Sequence, residues 1–577
     1  MMRKRCLLIT LINREVKIMN TKPNTTKKVF FSGVLLLTLS TILVKFVGLF
    51  YKIPMLSYLG SEGMGYFHSA YEIYAIFCII ATAGLPVALS VLVSTAIAER
   101  NEREVERIWR VSLTLFVIIG FVGSVVMWAL ARSICGWIRS ENALGCMISI
   151  APTLFFVCVS SAIRGYFQGY QKMMPTAISQ LLEALGKLVF GLLFAYMALK
   201  RGAGVPTLAA AAGWGVTAGT VLSTLYLAVE KMRFNKKLTK SEGQNRTQSE
   251  YSVRKKLLRI AVPITLGSFL ISLTKVVDMS MILRRLQAIG YTSAQANEAY
   301  GSYTTLAISV FALLPTLLNS ISLPLVPLLS SSIACGDKET EERMIELSYR
   351  INALIAIPAS IGITLFAKPI LSLLFVNHVQ ALETAAPLLS ILGISVFLSC
   401  MITATNSVLH AYCEVKKPIY STLAGVLVKG ITAYVLIGIP AIGIWGAPIS
   451  SFFCNAAIVM MNMHFVSKFC SKIDIKSLFV QPTLLGLLTV GIAYGEHLFL
   501  RYRFGEGALI TLIPMATAAV LYLVLGCFLG AISEEDILAL PGGMKLCTVL
   551  RKLHLLSRNK LEKTLKKTCR SANNMIK

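Results

Sequence analysis

Fourteen runs of about 20 apolar residues leave this chain one kind of fold. They centre in 29–51, 69–95, 111–131, 145–164, 176–199, 207–229, 259–283, 303–329, 351–375, 385–409, 418–438, 446–467, 478–499 and 508–530. Inside hydrocarbon every backbone amide needs a partner within the chain, so runs of this length cross as helices. Barrel strands would alternate over about ten residues, and these runs are too long and too continuously apolar for that. With 55% of its 577 residues hydrophobic and 15% charged, the chain has more apolar surface than a soluble core could hide. The expected fold class is an all-α polytopic membrane protein with about 14 transmembrane helices.

Charge sets the expected orientation. If the N-terminus is cytoplasmic, the cytoplasmic loops carry 24 Lys+Arg and the external loops 9, while the tails carry 8 and 10. By the positive-inside rule both termini are expected in the cytoplasm of a multi-pass cell-membrane protein. The net charge of +28 then reflects topology and attraction to anionic inner-leaflet lipids, and no nucleic-acid partner is expected. The first twenty residues hold too short an apolar core, Cys6–Ile12, for a signal peptide, and no small-residue cleavage site follows. They read as a basic tail.

The expected organisation is a tail over 1–28, a first lobe of six spans over 29–229, and a basic linker over 230–258. A second lobe of six spans over 259–467, two added spans over 478–530 and a basic tail over 531–577 complete it. The two lobes read as a repeat. At an offset of 230, Leu43, Lys45, Val47, Leu56 and Gly60 recur as Leu273, Lys275, Val277, Leu286 and Gly290. Leu85-Pro86 matches Leu323-Pro324, Pro175 matches Pro418 and Lys187 matches Lys429, with the offset growing to about 242. Equivalent spans run the same way, so this is a parallel repeat, a recurrent design of carriers that rock about a midplane site.

Charges inside the runs are the candidate site. A lysine at a helix centre costs roughly 3 kcal/mol on insertion scales, and such a residue is functional by default. Lys45, Lys187, Lys275, Lys368 and Lys429 lie within spans, as do the acids Glu72, Glu183 and Asp278. Lys368 sits far enough outward to be a snorkelling anchor. Glu183 and Lys187 are four apart in the favourable order, and Lys275 and Asp278 three apart, so packing ion pairs compete with a ligand role at both places. Lys45 and Lys429 have no carboxylate within reach on their own helix. Lysines facing a cavity suit an anion such as phosphate or pyrophosphate. Glu72, Glu183 and Asp278 could instead bind H+ or Na+ for coupling.

No Walker A, HExxH or GxSxG motif occurs, and the six histidines are scattered. The chain is expected not to be an enzyme, with no cofactor and no catalytic residue. Thirteen cysteines show neither a CxxC pair nor metal-ligand spacing, so neither a disulfide framework nor a metal site is expected. Cys135 is the one cysteine expected in an external loop.

Three words in the sequence point to a family. RGYFQGYQKMMPT at Arg164–Thr176, AISQLLEALGKLVFG after it, and AGLPVALSVLVSTAIAE ending span two resemble the stage V sporulation protein B and YtgP branch of polysaccharide flippases. That branch is related to MurJ-type lipid II flippases. The resemblance implies a MATE-like fold, alternating access, and a polyprenyl-pyrophosphate-linked sugar as cargo, in particular a peptidoglycan precursor. It implies that Lys45 contacts the pyrophosphate, with Lys275 following by the internal repeat. The MurJ pattern also has arginines in spans two and eight. This chain has none there, only Glu72, so that part of the basic cluster does not carry over.

The expected function is therefore an alternating-access flippase for a lipid-linked oligosaccharide, serving peptidoglycan or spore cortex synthesis. Its rivals are a MATE-type H+- or Na+-coupled multidrug antiporter and a non-transporting scaffold for wall synthesis.

Overall fold

The computed structural model describes residues 25–237, 249–322, 336–376, 378–414, 416–469 and 476–538, with a few residues near 330 and 550. The start of the first tail, the centre of the linker, Leu323-Pro324 and most of the last tail lie outside them. The described residues form helices and no strand.

In order these are α1 (Thr25–Thr82), α2 (Gly84–Ala98), α3 (Glu102–Trp137), α4 (Leu144–Ile150), α5 (Thr153–Gly169), α6 (Met174–Lys200), α7 (Val205–Lys237) and α8 (Glu250–Ala288). Then come α9 (Ser293–Ser302), α10 (Ile308–Phe311), α11 (Leu313–Ser322), α12 (Lys338–Leu365), α13 (Ala367–Leu374), α14 (Val379–Ala411) and α15 (Lys416–Ile437). The series ends with α16 (Gly446–Val466), α17 (Gln481–Phe504), α18 (Ala508–Phe528) and α19 (Glu534–Leu538). Among the described residues, 13 helical stretches are long and apolar enough to cross a membrane. All fourteen runs overlap them, because α1 with α2 forms one stretch of 59 residues, Ser40–Ala98, that meets the first two. The all-helical, multi-pass architecture is as expected.

Contacts group the chain into two compact units. The first is Met1–Leu283 with Ser293–Gly301, and the second is Arg284–Thr292 with Ser302–Lys577. The seventh span therefore packs with the first six: Val253, Leu257 and Ala261 of α8 share one buried cluster with Leu85, Ala88 and Leu89 of α2. Gly84 explains the closeness, since a Cβ there would lie 2.1 Å from the Ala261 carbonyl oxygen. Grouping by contact is thus a different division from the repeat lobes 29–229 and 259–467.

The repeat has a backbone signature that the sequence did not advertise. Gly60 and Gly290, the matched glycines, both have positive φ, 65° and 106°. Both end the first helix of their half, where a side chain would strain the left-handed turn. Further on, Arg100 (54°) pairs with Gly336 (70°) at an offset of 236, and Gln171 (57°) with Cys413 (59°) at 242. Each closes the helix before it in the same manner. The Gln171 amide bonds to the Gln168 carbonyl and Lys172 to Phe167, while Cys413 bonds to His410 and Glu414 to Leu409. After each turn the next helix carries its proline, Pro175 or Pro418, in its first turn, where a missing amide proton is harmless.

Cys135 is not in an external loop. It lies in the last turn of α3 and is 1% exposed, because the apolar run continues as helix to Trp137. The exposed described cysteine is Cys413, at the turn between α14 and α15.

Candidate membrane-embedded charge site

The first unit contains two groups of charges. One is built on α5, α6 and α7. Glu183 and Lys187 are one turn apart on α6, and Lys187 Nζ donates to Glu183 Oε1 at 2.7 Å. The other carboxylate oxygen, Oε2, accepts from the Arg164 guanidinium of α5 at 2.9 Å. Arg164 also donates to Ser179 Oγ at 2.9 Å and to Ser223 Oγ of α7 at 3.1 Å. The three charged side chains are 14–21% exposed. The short reach depends on glycines: a Cβ on Gly186 would come 2.7 Å from the Gly219 Cα, so α6 and α7 cross almost backbone to backbone. Two cations against one anion leave the group with a net positive charge.

Arg164 is not among the candidate charges read from the sequence. Its position just before the end of an apolar run hid it, and the signal that could have found it is the pattern itself. Arg164, Ser179 and Glu183 are separated by a turn and one helical face, so folding the hairpin brings them together.

The second group is built on α1 and α8. Lys45 and Lys52 are two turns apart on one face of α1, before Pro54 and the break at Gly60. Lys275 lies within electrostatic reach of both. Across the break, Glu72 is within reach of Lys52, Lys275 and Asp278. The Lys45 and Lys275 side chains are exposed, and those of Lys52, Glu72 and Asp278 half-buried. Lys45 and Lys275, matched by the repeat, thus sit in one neighbourhood, where Lys52 joins them. Lys52 stands one residue past the first apolar run, 29–51, while its helix continues to the break at Gly60.

Lys429 lies half-buried on α15 in the second unit, and Lys368 exposed on α13. Among the described residues no cluster of His, Cys, Asp and Glu could hold a metal.

Comparison with known proteins follows the same lines. A MatE family match covers residues 263–435. Stage V sporulation protein B of Bacillus subtilis (strain 168) is 23% identical over 522 residues, covering 89% of this chain and 98% of that protein. Among solved structures, the lipid II flippase MurJ in an inward closed conformation superposes with a TM-score of 0.66 at 13% identity, covering 85% of this chain and 98% of that one. An inward-facing multidrug resistance MATE family transporter of the MOP superfamily gives 0.61 at 16% identity, covering 76% and 98%. The polysaccharide biosynthesis protein family matches residues 30–333, more than half of the chain, and this polytopic membrane protein with a MATE-like fold belongs to that family.

Proposed function

We propose that the chain is an alternating-access flippase that moves a polyprenyl-pyrophosphate-linked sugar, of lipid II type, across the cytoplasmic membrane. The observation that carries this reading is the gathering of Lys45, Lys52 and Lys275 within mutual electrostatic reach in a membrane-embedded unit. Like charges repel strongly where little water screens them, and Glu72 with Asp278 supplies only two negative charges against three positive. A pyrophosphate adds the missing anion and offers acceptors to three ammonium groups. Moving it requires no covalent chemistry, only a site reachable from each side in turn.

In this reading Lys45 and Lys275 bind the pyrophosphate, with Lys52 beside them. Lys187 and Lys429 occupy the matched inner positions on the fifth and eleventh spans. Glu72, Glu183 and Asp278 are the groups available to H+ or Na+ coupling. Both termini face the cytoplasm, where the basic tails and the 230–258 linker meet anionic lipids. Similarity to stage V sporulation protein B supports a role in sporulation, and in this reading the cargo serves spore cortex synthesis.

The test is reconstitution in vesicles with fluorescent lipid II, scoring its appearance in the far leaflet. Lys45→Ala and Lys275→Ala should each abolish flipping with insertion unchanged; wild-type flipping by both variants overturns the anion site. A second reading, cation antiport, is favoured by the MatE match over 263–435. It requires ion-driven efflux of an organic cation that survives Lys45→Ala and fails in Glu72→Gln. A scaffold would tolerate all of these changes.

A further inference from the structure

The second unit holds an apolar cavity of about 410 Å³ between α12, α17 and α18. Along α12 and its C-cap the wall runs from Ile351 to Phe366, sixteen residues or about 22 Å, so the space is a slot rather than a sphere. Val490 of α17 and Tyr522 of α18 form the opposite wall. Ile532, Asp536 and Ile537 also line it, and these lie beyond the end of α18.

The chain reaches that position by folding back. Gly530 has φ 71°, and the Ile532 amide bonds to the Gly526 carbonyl at 2.9 Å. Ile532 fits because Gly526 has no side chain; a Cβ there would lie 2.5 Å from Ile532 Cδ1. α19 then begins with a reciprocal cap. Ser533 Oγ accepts from the Asp536 amide at 3.3 Å, and Asp536 Oδ2 accepts from the Ser533 amide at 2.8 Å.

Asp536 Oδ2 also accepts from Arg350 Nε at 3.0 Å, and the Arg350 guanidinium donates to the Ala531 carbonyl at 3.2 Å. One arginine, at the entrance to the ninth apolar run, therefore grips both ends of the fold-back. The Asp536 side chain is 4% exposed, so Arg350 is its charge partner in a place with little water.

We propose that residues 531–538 are a strap closing the Ile351 end of the cavity, with Arg350–Asp536 as its catch. While the catch holds, Ile532 and Ile537 block entry of a hydrocarbon chain from that end; when it opens, the slot is continuous with its surroundings. A short segment with few apolar anchors is the kind that opens locally while the bundle stays folded. Nothing in this device requires the cargo to be the one proposed above.

Native cysteines report on it. Cys527 is 8% exposed and packs in the cluster with Ala531, Ile532 and Ile537, whereas Cys400 is 0% exposed and lies in a separate cluster. The experiment compares the full chain with Asp536→Ala and with Arg350→Ala, which breaks the catch and leaves the Ser533–Asp536 cap in place, in lipid vesicles. Maleimide modification of each cysteine is read by mass spectrometry, and a diazirine-bearing palmitate reports entry to the cavity by labelling residues 351–366. Asp536→Ala should raise Cys527 modification about tenfold with Cys400 unchanged. Photolabelling should rise with it, and Arg350→Ala should raise both likewise. Unchanged Cys527 modification overturns the catch, and a joint rise at Cys400 overturns a local strap. Raised Cys527 modification without increased photolabelling overturns closure of the cavity.

Discussion

The fifth and eleventh spans, with the helices beside them, have the same skeleton and different chemistry. Counted from the left-handed turns at Gln171 and Cys413, Ser179 corresponds to Ser421 and Lys187 to Lys429. Arg164 corresponds to Asn406, and Glu183 to Gly425. Where the first unit has an arginine–glutamate–lysine chain, the second has amides. Asn462 of α16 donates to Asn406 Oδ1 at 2.9 Å and to Thr405 Oγ1 at 3.0 Å. No carboxylate can replace Gly425 as packed, because a Cβ would lie 2.4 Å from Ile458 Cγ1. The lesson is that the turns and small residues of the repeat have been kept while its charges have diverged. A shared lysine therefore sits in two electrostatic settings.

The largest expected effect distinguishes these settings. Arg164→Ala leaves Glu183 with Lys187 as its remaining ion-pair partner and removes the hydrogen bonds of a charged group to Glu183, Ser179 and Ser223, each worth about 1.5–3 kcal/mol. Asn406→Ala removes one neutral hydrogen bond, about 1 kcal/mol. Thermal melting in detergent should show Arg164→Ala far below Asn406→Ala, and equal losses would break the comparison. Next in size is the steric difference. Gly425→Ala should destabilise by about 1–3 kcal/mol through overpacking against Ile458. Lys187→Ala leaves Glu183 paired with Arg164, so adding Glu183→Gln should cost further stability by stranding the Arg164 charge; a double variant more stable than Lys187→Ala would break the comparison.

The smallest effect concerns the matched caps of α3 and α12. Asn101 Oδ1 accepts from the Glu104 amide at 3.1 Å, and Asp337 Oδ1 from the Thr340 amide at 3.1 Å. Asp337 also accepts from the Thr340 hydroxyl, and these bonds hold its carboxyl below the usual carboxylate range. Its contribution is complete above the ordinary Asp range and fades as the pH falls through the lowered value. The Asn101 cap carries no charge and should not change. Hydrogen exchange at the start of α12 should therefore quicken on acidification relative to the start of α3. Asn101→Ala should cost about 1 kcal/mol at any pH.

The helical class and the multi-pass plan were legible because run length is a local pattern, and the paired turns at Gly60 and Gly290 because the residues there match at a fixed offset. The Glu183–Lys187 pair was legible for the same reason, since four residues make one helical turn. Arg164 and Lys52 were not. Each stands near a span boundary, where composition cannot tell a loop charge from one drawn into the bundle. Cys135 failed in the opposite sense, as helix continued beyond the apolar run.

Sequence by itself determined that this chain must cross a membrane many times as helices, since unpaired backbone groups cannot lie in hydrocarbon. It also determined which lysines are costly enough to need an explanation. Only tertiary structure decided which charges meet. Arg164 reaches Glu183 from another helix, Lys45 and Lys52 meet Lys275 from 230 residues away, and Arg350 catches Asp536 across the end of a bundle. Those meetings depend on how closely helices cross, and that closeness is set by glycines such as Gly84 and Gly186 acting in pairs with distant backbone. No local pattern in the chain records which backbone that will be.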